Sequence, residues 1–362
     1  MTAPRDPAEI RVDVVIDNFN YGRFLPAAIE SALEQSHPRV GVIVVDDGST
    51  DDSRAVLERY EDRVEAVLKP NGGQASTLNV GFERCRGDVV VFLDADDVLE
   101  PGAIARLAAA FARNPALVKV QCRSRVIDAE GRPTGALKPG EGLPMPAGDL
   151  RRAELANPFD LVWMSTSANA FNREALSRIM PMPEQPFRRC ADWYLVHLTA
   201  LLGEVGSLAE VGAGYRLHGA NSYEPQAADL DLDHVRDSIA FAAATAVELR
   251  RLAAALELPC PARILSIADL GNRMVSLRLA PESHPVPTDT RAGLLADAVR
   301  AARRRQGAGA ALKLLFVGWF AAMALAPRPL ARSLAERWLF PERRRALNPF
   351  LRRRQRQAGA AS

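Results

Sequence analysis

Apolar and polar residues follow two different periods along the first part of the chain. Short β-branched runs at residues 10–17, 40–46, 63–69 and 88–94 predict β-strands. Between these runs, apolar residues recur every three or four positions, as they do over residues 24–33, which predicts amphipathic helices. We therefore expect an α/β fold with a mixed, mainly parallel sheet flanked by helices.

Polar loops follow all four predicted strands. The loops at residues 17–21, 46–51, 71–74 and 94–97 are rich in Asp, Asn and Gly. Open α/β sheets bind their ligands outside the carboxyl ends of the strands, so the four loops predict one polar site.

The middle of the chain changes composition. Residues 131–148 are rich in Gly and Pro, which predicts a flexible connection or lid with no packed element. Residues 161–164 and 168–171 return to strand or helix character, and residues 192–202 predict a helix.

The C-terminal part has helical periodicity and no further strand runs. We therefore expect a first domain at residues 1–228 and an α-helical region at residues 229–362. A length of 362 residues suits a catalytic domain with a smaller appendage.

The cysteines and the N-terminus bear on the compartment. Cys85, Cys122, Cys190 and Cys260 lie far apart without a C-x-x-C pair, which argues against a zinc knuckle and a disulfide framework. The N-terminus has acidic residues and prolines where a signal peptide would need a basic end and an apolar run. A reducing cytoplasm is the expected location.

Charge is segregated along the chain. The net charge is +2, but residues 300–356 carry 15 Lys and Arg against two acids, which gives this tail about +13 and the rest about −11. The tail is therefore expected to meet an anionic partner or surface. The sequence offers no nucleic-acid-binding motif, so nucleic acid is not expected to be that partner.

The tail also contains an apolar run at residues 314–326, which is shorter than the roughly 20 residues needed to span a bilayer. With the arginine clusters at 343–345 and 352–354, it suggests an interfacial anchor on anionic lipid at the inner face of the plasma membrane. The alternative is a buried helix packed on the catalytic domain, followed by a solvated arginine tail.

Two acid clusters stand out in the polar loops. Asp94, Asp96 and Asp97 would repel one another unless a cation offset them, which predicts a Mn²⁺ or Mg²⁺ site. The alternative is that Asp97 caps the helix that follows. Asp46 and Asp47 exceed what a strand-turn-helix joint needs, and carboxylates at such positions commonly accept hydrogen bonds from ribose or base.

These segments together resemble family-2 glycosyltransferases of the GT-A fold, the inverting type that builds bacterial cell-surface polysaccharides. The matching segments span residues 14–222 and are VVIDNFNYGRFLPAAIESALEQ, VIVVDDGSTDDS, NGGQASTLNVGFERCRGDVVVFLDADD, CADWYL and YRLHGANS. The usual opening Pro-Thr-Tyr-Asn is replaced here by Asp17-Asn18-Phe19-Asn20.

The resemblance implies a role for each matching position. The residues that would hold the nucleoside are Asn18, Asn20, Asp46 and Asp47. Those that would line the diphosphate region and the donor sugar are Gly73, Gln74, Asn79, Asp94 and Arg216. Asp96, Asp97 and His218 would hold the metal ion.

The resemblance also implies that Asp192 is the general base. In CADWYL, Ala191 stands where the family more often has Glu, so Asp192 is the only candidate in the motif. It would take the proton of the acceptor hydroxyl, while the metal offsets the charge on the departing diphosphate. The alternative for Asp192 is a helix N-cap before Trp193.

The function implied is transfer of a sugar, with inversion, from a nucleoside diphosphate sugar, with UDP as the favoured nucleotide, to a glycan or lipid-linked acceptor. Two rivals stay open. One is an inactive scaffold that binds sugar nucleotides. The other is a signalling receiver domain, which fits poorly because its acid pair follows the first strand. No P-loop or G-x-G-x-x-G motif is present.

Overall fold

The computed structural model describes residues 5–219, 221, 230–305 and 308–340. Their contacts form two compact units. One takes its described residues from Met1–Leu155, Leu161–Glu224 and Ala243–Pro261. The other takes them from Ala156–Asp160, Pro225–Ala242 and Ala262–Ser362.

The first unit is built on a mixed sheet. Its strands are β1 Val12–Asn18, β2 Val40–Asp46, β3 Glu65–Leu68, β4 Val89–Asp94, β5 Val98–Leu99, β6 Leu117–Ile127, β7 Pro133–Lys138, β8 Gly148–Asp149, β9 Asn169–Asn172 and β10 Glu204–Arg216. They run in the order β3-β2-β1-β4-β9-β6-β10-β5, with β7 beside β6 and β8 beside β10. The first four strands in this order are mutually parallel, as are β6 and β10, while β9 is antiparallel to both its neighbours. The expected mixed, mainly parallel sheet is confirmed.

Helices flank this sheet. They are α1 Leu25–Leu33, α2 Ser53–Glu58, α3 Gln74–Arg84, α4 Ala103–Arg113, α5 Arg151–Ala156, α6 Arg173–Ser177 and α7 Ala191–Thr199, with α8 Leu232–Ala255 running through the division between the units. Of these, α1, α2, α3 and α7 lie at or near the positions where the apolar periodicity predicts them. Strands β1 and β4 are buried along nearly their whole length, which explains why apolar residues dominate their sequences.

Two predictions about the middle of the chain are wrong. The Gly- and Pro-rich segment 131–148 does contain packed structure, because Pro133–Lys138 forms β7 and pairs antiparallel with β6. An edge strand tolerates such a composition because only one side of it must hydrogen bond. Residues 161–164 form no regular element, and the expected strand character begins only at Asn169.

The second unit is helical over its described residues, as the sequence predicts for the C-terminal region. Its further helices are α9 Ile267–Leu279, α10 Arg291–Arg304, α11 Ala310–Leu325 and α12 Arg328–Leu339. They share one core with residues such as Leu270, Ala298, Phe320 and Ala331.

The apolar run at residues 314–326 belongs to α11 and has two faces. Phe320, Met323 and Ala324 are buried in the helical core, whereas Leu314, Leu315 and Leu325 are exposed. In the part of the chain that the structure describes, no helix is both long and apolar enough to cross a bilayer. The arginine clusters at 343–345 and 352–354 lie outside the described residues.

Candidate active site

A cleft of about 600 Å³ lies at the carboxyl ends of β1, β2 and β4. It gathers side chains from all four polar loops that the sequence singled out. Those of the predicted site residues that line it are Asn18, Asn20, Asp47, Gly73, Gln74, Asp94, Asp96 and Asp192.

The end of β1 is tied to the end of β2 by side chains. Nδ2 of Asn18 donates to Asp46 Oδ2 at 2.8 Å and to Ser49 Oγ at 3.2 Å. The other carboxylate oxygen of Asp46 accepts from the backbone N–H of Ser49 at 3.0 Å. Asp46 is fully buried and does not line the cleft, so it positions Asn18 and the β2 turn behind the surface that a nucleoside would meet.

Asn20 shapes the same wall. It has a positive φ of 58°, a conformation that asparagine tolerates better than most residues. Its Oδ1 accepts from the backbone N–H of Thr50 at 2.7 Å, and its own N–H donates to Ser49 Oγ at 2.9 Å. The loop after β1 is thereby fixed to the loop after β2.

Asp47 organises the glycine-rich turn before α3. Its two carboxylate oxygens accept from the backbone N–H groups of Gly72 at 2.8 Å and Gly73 at 2.7 Å, and Lys69 forms an ion pair with it. Gly73 has a φ of 87°, which a residue with a Cβ atom adopts only with strain.

Gln74 connects the acidic strand end with the predicted base. Its Nε2 donates to Asp94 Oδ1 at 3.0 Å, and its Oε1 accepts from the backbone N–H of Ala191 at 3.0 Å. Its backbone N–H donates to the carbonyl of Arg188 at 2.8 Å. This one side chain therefore spans the cleft from β4 to the first residue of α7.

The acid cluster after β4 has the donors of a divalent-cation site. One ligand atom from each of Asp94, Asp96 and Asp97 lies within 4.8 Å of the others. Burial, followed by repulsion from Asp17, raises the pKa of Asp94 well above its ordinary value, and burial together with Asp96 does the same for Asp97. A bound Mn²⁺ or Mg²⁺ would relieve that repulsion, and carboxylate oxygens are the ligands these ions prefer.

His218 lies two residues after the end of β10 and contacts this acid cluster. Its Nε2 lies 2.9 Å from Asp96 Oδ2, and its ring packs against Tyr21 and Phe24 with centroid separations of 5.4 and 4.8 Å. The imidazole is thus held beside a carboxylate of the candidate metal site, although it does not line the cleft.

Arg216 and Asn79 support the site from outside the cleft. The guanidinium of Arg216 donates to the backbone carbonyl of Asp96 at 2.6 Å, and its backbone N–H donates to Asp97 Oδ1 at 2.9 Å. Asn79 exchanges two hydrogen bonds with the backbone of Met182, at 3.0 and 2.8 Å. Both side chains are buried, and neither lines the cleft. The sequence had assigned both of them contacts to the donor.

Asp192 lies in the first turn of α7 and lines the cleft. The N-cap of this helix is Cys190, so Asp192 is not its cap. Its Oδ1 accepts from the backbone N–H of Trp193 at 2.9 Å, and burial raises the pKa of its carboxyl. Likewise, Gly102 and not Asp97 caps α4, so capping accounts for neither carboxylate.

The cleft also contains residues that sequence reasoning missed. Arg188 and Arg189 line it directly before the base motif, and Asp17 lines it at the end of β1. Arg188 donates to the backbone carbonyl of Gly72 at 2.8 Å. Two features of the sequence could have identified these residues. One is the pair of basic residues directly before CADWYL, and the other is the acid Asp17 at a position where the resembled family has proline.

Comparisons with known families and proteins point to glycosyltransferases. Residues 13–179 match the family model described as Glycosyl transferase family 2. An uncharacterised glycosyltransferase of Nostoc sp. is 35% identical over 219 residues, which cover 59% of this chain and 67% of the relative. An undecaprenyl-phosphate 4-deoxy-4-formamido-L-arabinose transferase of Pseudomonas syringae is 40% identical over 104 residues, and the chondroitin synthase of Escherichia coli is 34% identical over 123 residues.

The chain spans about two thirds of the Nostoc relative, but only 31% of the Pseudomonas and 18% of the Escherichia protein. Among solved structures, S. aureus TarS 1–349 in complex with UDP-GlcNAc is similar with a TM-score of 0.50 and 16% identity, covering 90% of this chain and 91% of that one. This is a likeness of fold, and it agrees with the GT-A fold that the sequence motifs imply.

Proposed function

The chain belongs to glycosyl transferase family 2, and from that membership we propose that it transfers a sugar from a nucleoside diphosphate sugar to an acceptor hydroxyl. The observation that carries the proposal is the bridge made by Gln74. It joins Asp94, in the acid cluster, to Ala191, which precedes the candidate base Asp192. Donor-binding groups and base thus line one cleft.

In the proposed reaction Asp192 takes the proton from the acceptor hydroxyl as that oxygen attacks the anomeric carbon. Attack from the face opposite the nucleotide breaks the bond to the diphosphate and inverts the anomeric centre. Asp94, Asp96 and Asp97, with His218 beside Asp96, would hold a Mn²⁺ or Mg²⁺ ion. Such an ion offsets the negative charge that develops on the leaving diphosphate.

The remaining chain residues bind and orient the donor. Asn18, Asn20 and Asp47 line the wall that fits a nucleoside, with Asp46 behind it. Gly73 and Gln74 lie at the start of α3, beside Arg188 and Arg189. The two arginine side chains suit diphosphate oxygens, which guanidinium groups recognise with paired hydrogen bonds.

We favour UDP as the nucleotide and a glycan or lipid-linked acceptor in cell-envelope synthesis. The Pseudomonas relative, an undecaprenyl-phosphate 4-deoxy-4-formamido-L-arabinose transferase, and the Escherichia relative, a chondroitin synthase, support this class of reaction. UDP-GlcNAc is the first donor to test, since it is the ligand of the similar TarS structure.

The test combines thermal stabilisation with nucleotide release. The protein is heated with Mn²⁺ and each of a panel of UDP-, GDP- and dTDP-sugars, and the preferred donor should raise the melting temperature, because a ligand at about 100 times its Kd adds about 2.7 kcal/mol. Release of the nucleoside diphosphate, as the sugar passes to water or to an added glycan acceptor, is then measured for the wild type and Asp192→Asn. We expect the variant to keep the thermal shift and to lose about 10²-fold or more in release, since a base acts in the transition state.

Stabilisation without any release by the wild type would instead identify an inactive scaffold. Equal release by Asp192→Asn and the wild type would remove Asp192 from the role of base.

We also propose a catalytic domain at residues 1–228 and a helical region at 229–362 that associates with an anionic membrane surface on the cytoplasmic side. One face of α11 supports the association, because the exposed residues Ala311, Leu314, Leu315, Gly318, Ala322 and Leu325 recur at helical spacing and carry no charge. The basic tail would supply the attraction to the lipid headgroups.

A further inference from the structure

The cleft extends beyond the residues assigned to the donor. Its wall at β1 and β2 fits a nucleoside, and the acid cluster lies at the end of β4. Across the sheet, β4 is followed by β9, β6 and β10. The residues that line the cleft on this far side include Ser165, Thr166 and Tyr215, and the proposed donor contacts give none of them a role. The far half of the cleft therefore has room for a second ligand.

Ser165 and Thr166 lie at the start of a single 3-10 turn, Thr166–Ala168, that precedes β9. This turn packs against β4, β6 and β10. Ser167 ties it to the acid cluster, because its Oγ accepts from the backbone N–H of Asp94 at 3.2 Å. The two hydroxyl-bearing side chains are thereby held beside the end of β4.

The hydroxyl of Ser165 has no role in the turn that it begins. A serine at an N-cap position normally accepts a hydrogen bond from the backbone of the turn. Ser165 is the N-cap here, yet its side chain makes no capping hydrogen bond, and the residue lines the cleft. Thr166 brings a second hydroxyl at the next position. Adjacent hydroxyls in a cleft suit a ligand that itself carries hydroxyl groups.

Tyr215 adds an aromatic ring to the same half of the cleft. The next residue, Arg216, donates to Asp96 and Asp97. Successive side chains of a strand point to opposite faces, so the Tyr215 ring points away from that guanidinium. Nζ of Lys138 in β7 lies 3.8 Å from the centroid of the Tyr215 ring, and this cation–π contact holds the ring in place.

An aromatic ring and two hydroxyls together suit a sugar. The C–H groups on the face of a pyranose pack against an aromatic ring, while hydroxyls on its rim exchange hydrogen bonds with serine and threonine. The candidate base Asp192 lines the same cleft. An acceptor hydroxyl must come within hydrogen-bond reach of that base, so the acceptor belongs in this half.

The charges beside this half favour a neutral attacking group. Asp94, Asp96 and Asp192 are all acidic, and the basic residues of the cleft, Arg188 and Arg189, are assigned to the donor diphosphate. A sugar hydroxyl has a proton to give to Asp192. The phosphate of a lipid is already ionised at neutral pH, so the same carboxylates would repel it.

We propose that Ser165, Thr166 and Tyr215 form the acceptor subsite and bind a neutral sugar unit of a glycan, with its ring against Tyr215 and one hydroxyl directed at Asp192. The oxygen of that hydroxyl bonds to the anomeric carbon as the bond to the diphosphate breaks, and Asp192 takes the proton. A glycan carried by a lipid meets this requirement, whereas a lipid phosphate as the attacking group does not. The inference rests on the proposed glycosyl transfer.

The experiment uses the full chain with Mn²⁺ and the donor that the thermal panel selects. A glycan array identifies the acceptor of the wild type, and undecaprenyl phosphate is assayed in parallel. The soluble form of the labelled glycan then gives kcat and the KM values for acceptor and donor, for the wild type, Tyr215→Ala, Tyr215→Phe and Ser165→Ala. Circular dichroism and thermal melting establish that each variant folds.

Tyr60→Ala is the matched control. Tyr60 is also a half-buried tyrosine with a basic side chain over its ring, since the guanidinium of Arg63 lies 5.8 Å from the ring centroid. It lies outside the cleft, so its loss should leave both KM values as in the wild type.

We expect Tyr215→Ala to raise the acceptor KM about tenfold, because the sugar loses the ring on which it packs. The donor KM and the release of nucleotide to water should stay within about twofold, since the donor does not touch this ring. Tyr215→Phe keeps the ring and should bring the acceptor KM back to within about threefold of the wild type. Ser165→Ala should raise the acceptor KM about fivefold through the loss of one neutral hydrogen bond.

A folded Tyr215→Ala with the wild-type acceptor KM would overturn the inference. If that variant does not fold, an unchanged acceptor KM in Ser165→Ala would overturn it instead. So would a wild type that releases nucleotide but labels no glycan, or that transfers the sugar to undecaprenyl phosphate in place of a glycan. Failure of the proposed function would look different, because the wild type would then release no nucleotide from any donor.

Discussion

The carboxylates of the polar loops fall into two kinds of environment, although the sequence presents all of them as polar residues after strands. Asp47 has its oxygens occupied by backbone N–H groups and by Lys69, whereas Asp94, Asp96 and Asp97 crowd one another. The first carboxylate shapes a turn, and the other three are the proposed ligands of a divalent cation.

Asp96→Asn should abolish metal-dependent donor binding while the fold is kept. Asparagine preserves the size of the side chain but removes the charge that a divalent ion requires. Changes to groups outside the ligand shell already cost about 10- to 100-fold in metal affinity, so we expect at least a tenfold loss here. Calorimetric titration of Mn²⁺ in the presence of UDP measures it. Asp62→Asn, at an exposed position, is the matched control, and equal affinities in both variants would contradict the assignment.

Asp17 should make stability depend on pH. Burial raises its pKa from the ordinary 3.8 to about 7, so the folded protein binds a proton that the unfolded chain has released between these values. Stability is therefore lost as pH rises from about 4 through about 7, at up to about 1.4 kcal/mol for each pKa unit. Asp17→Asn removes this loss.

We expect Asp17→Asn to gain stability relative to the wild type when the pH is raised from about 4.5 to about 8 in the presence of a chelator. Denaturant unfolding at both pH values measures the difference. The same difference between variant and wild type at both values would show that Asp17 does not ionise in this range.

At the scale of elements, sequence patterns predicted β1 to β4 and β9 but missed the two longest strands, β6 and β10. β-branched and other apolar residues dominate β1, β2 and β4, which are mostly buried, so these strands were found to within two residues. β7 was missed because an edge strand with Pro133 and Gly135 has the composition of a loop. Local pattern does not report pairing with a distant strand.

The same distinction applies to the site. The shared cleft position of Asp94, Asp96 and Asp192 could be predicted because each lies in a local motif at an element end. The supporting position of Arg216, bonded to the carbonyl of Asp96, could not be predicted, because it depends on the pairing of β10 with β5, the strand that follows the acid cluster. The burial of Lys119 could not be predicted either. In the sequence it looks like an ordinary polar residue of a strand, and only the folded sheet places it in the interior.

Gly73→Ala tests the turn that begins α3. A Cβ at this position would lie 2.3 Å from Cγ and 2.6 Å from the carbonyl oxygen of Arg188, and the φ of 87° is strained for alanine. We expect a cost of about 1–3 kcal/mol in stability and weaker donor binding, since Arg188 and Gln74 must shift. Gly140→Ala is the control, because a Cβ there meets no atom within 4 Å. Thermal melting and donor titration would contradict the prediction if both variants behaved alike.

At the scale of the whole molecule, the two compact units do not divide the sequence at one point. Residues 156–160 belong with the helical unit, and residues 243–261 belong with the sheet unit. α8 runs through the division without a break in its helical periodicity, so the sequence carries no signal for it. The domain boundary at residue 228 stays a prediction.

Charge and apolar surface coincide at the C-terminal end. Arg328, Arg332 and Arg337 are exposed on α12, next in the chain to the uncharged exposed face of α11. Leu314 is 72% and Leu325 is 87% exposed on that face. Deleting residues 300–362 would also remove buried residues such as Phe320 and Ala331, so substitutions of exposed residues test membrane binding more cleanly.

The double variant Leu314→Gln and Leu325→Gln should bind anionic vesicles only at low salt, whereas the wild type should keep part of its binding at high salt. Charge attraction fades as the Debye length falls from about 10 Å at 0.1 M to about 3 Å at 1 M salt, while apolar insertion does not. Losing two partly inserted leucines should cost about 1–3 kcal/mol, or roughly 10- to 100-fold in partitioning. Flotation with vesicles containing phosphatidylglycerol, at several salt concentrations, separates the two contributions. Leu68→Gln, at a 54% exposed leucine of β3, is the matched control and should float like the wild type. If the wild type does not float even at low salt, the apolar face of α11 does not bind lipid. The basic tail would then have an anionic partner other than the membrane.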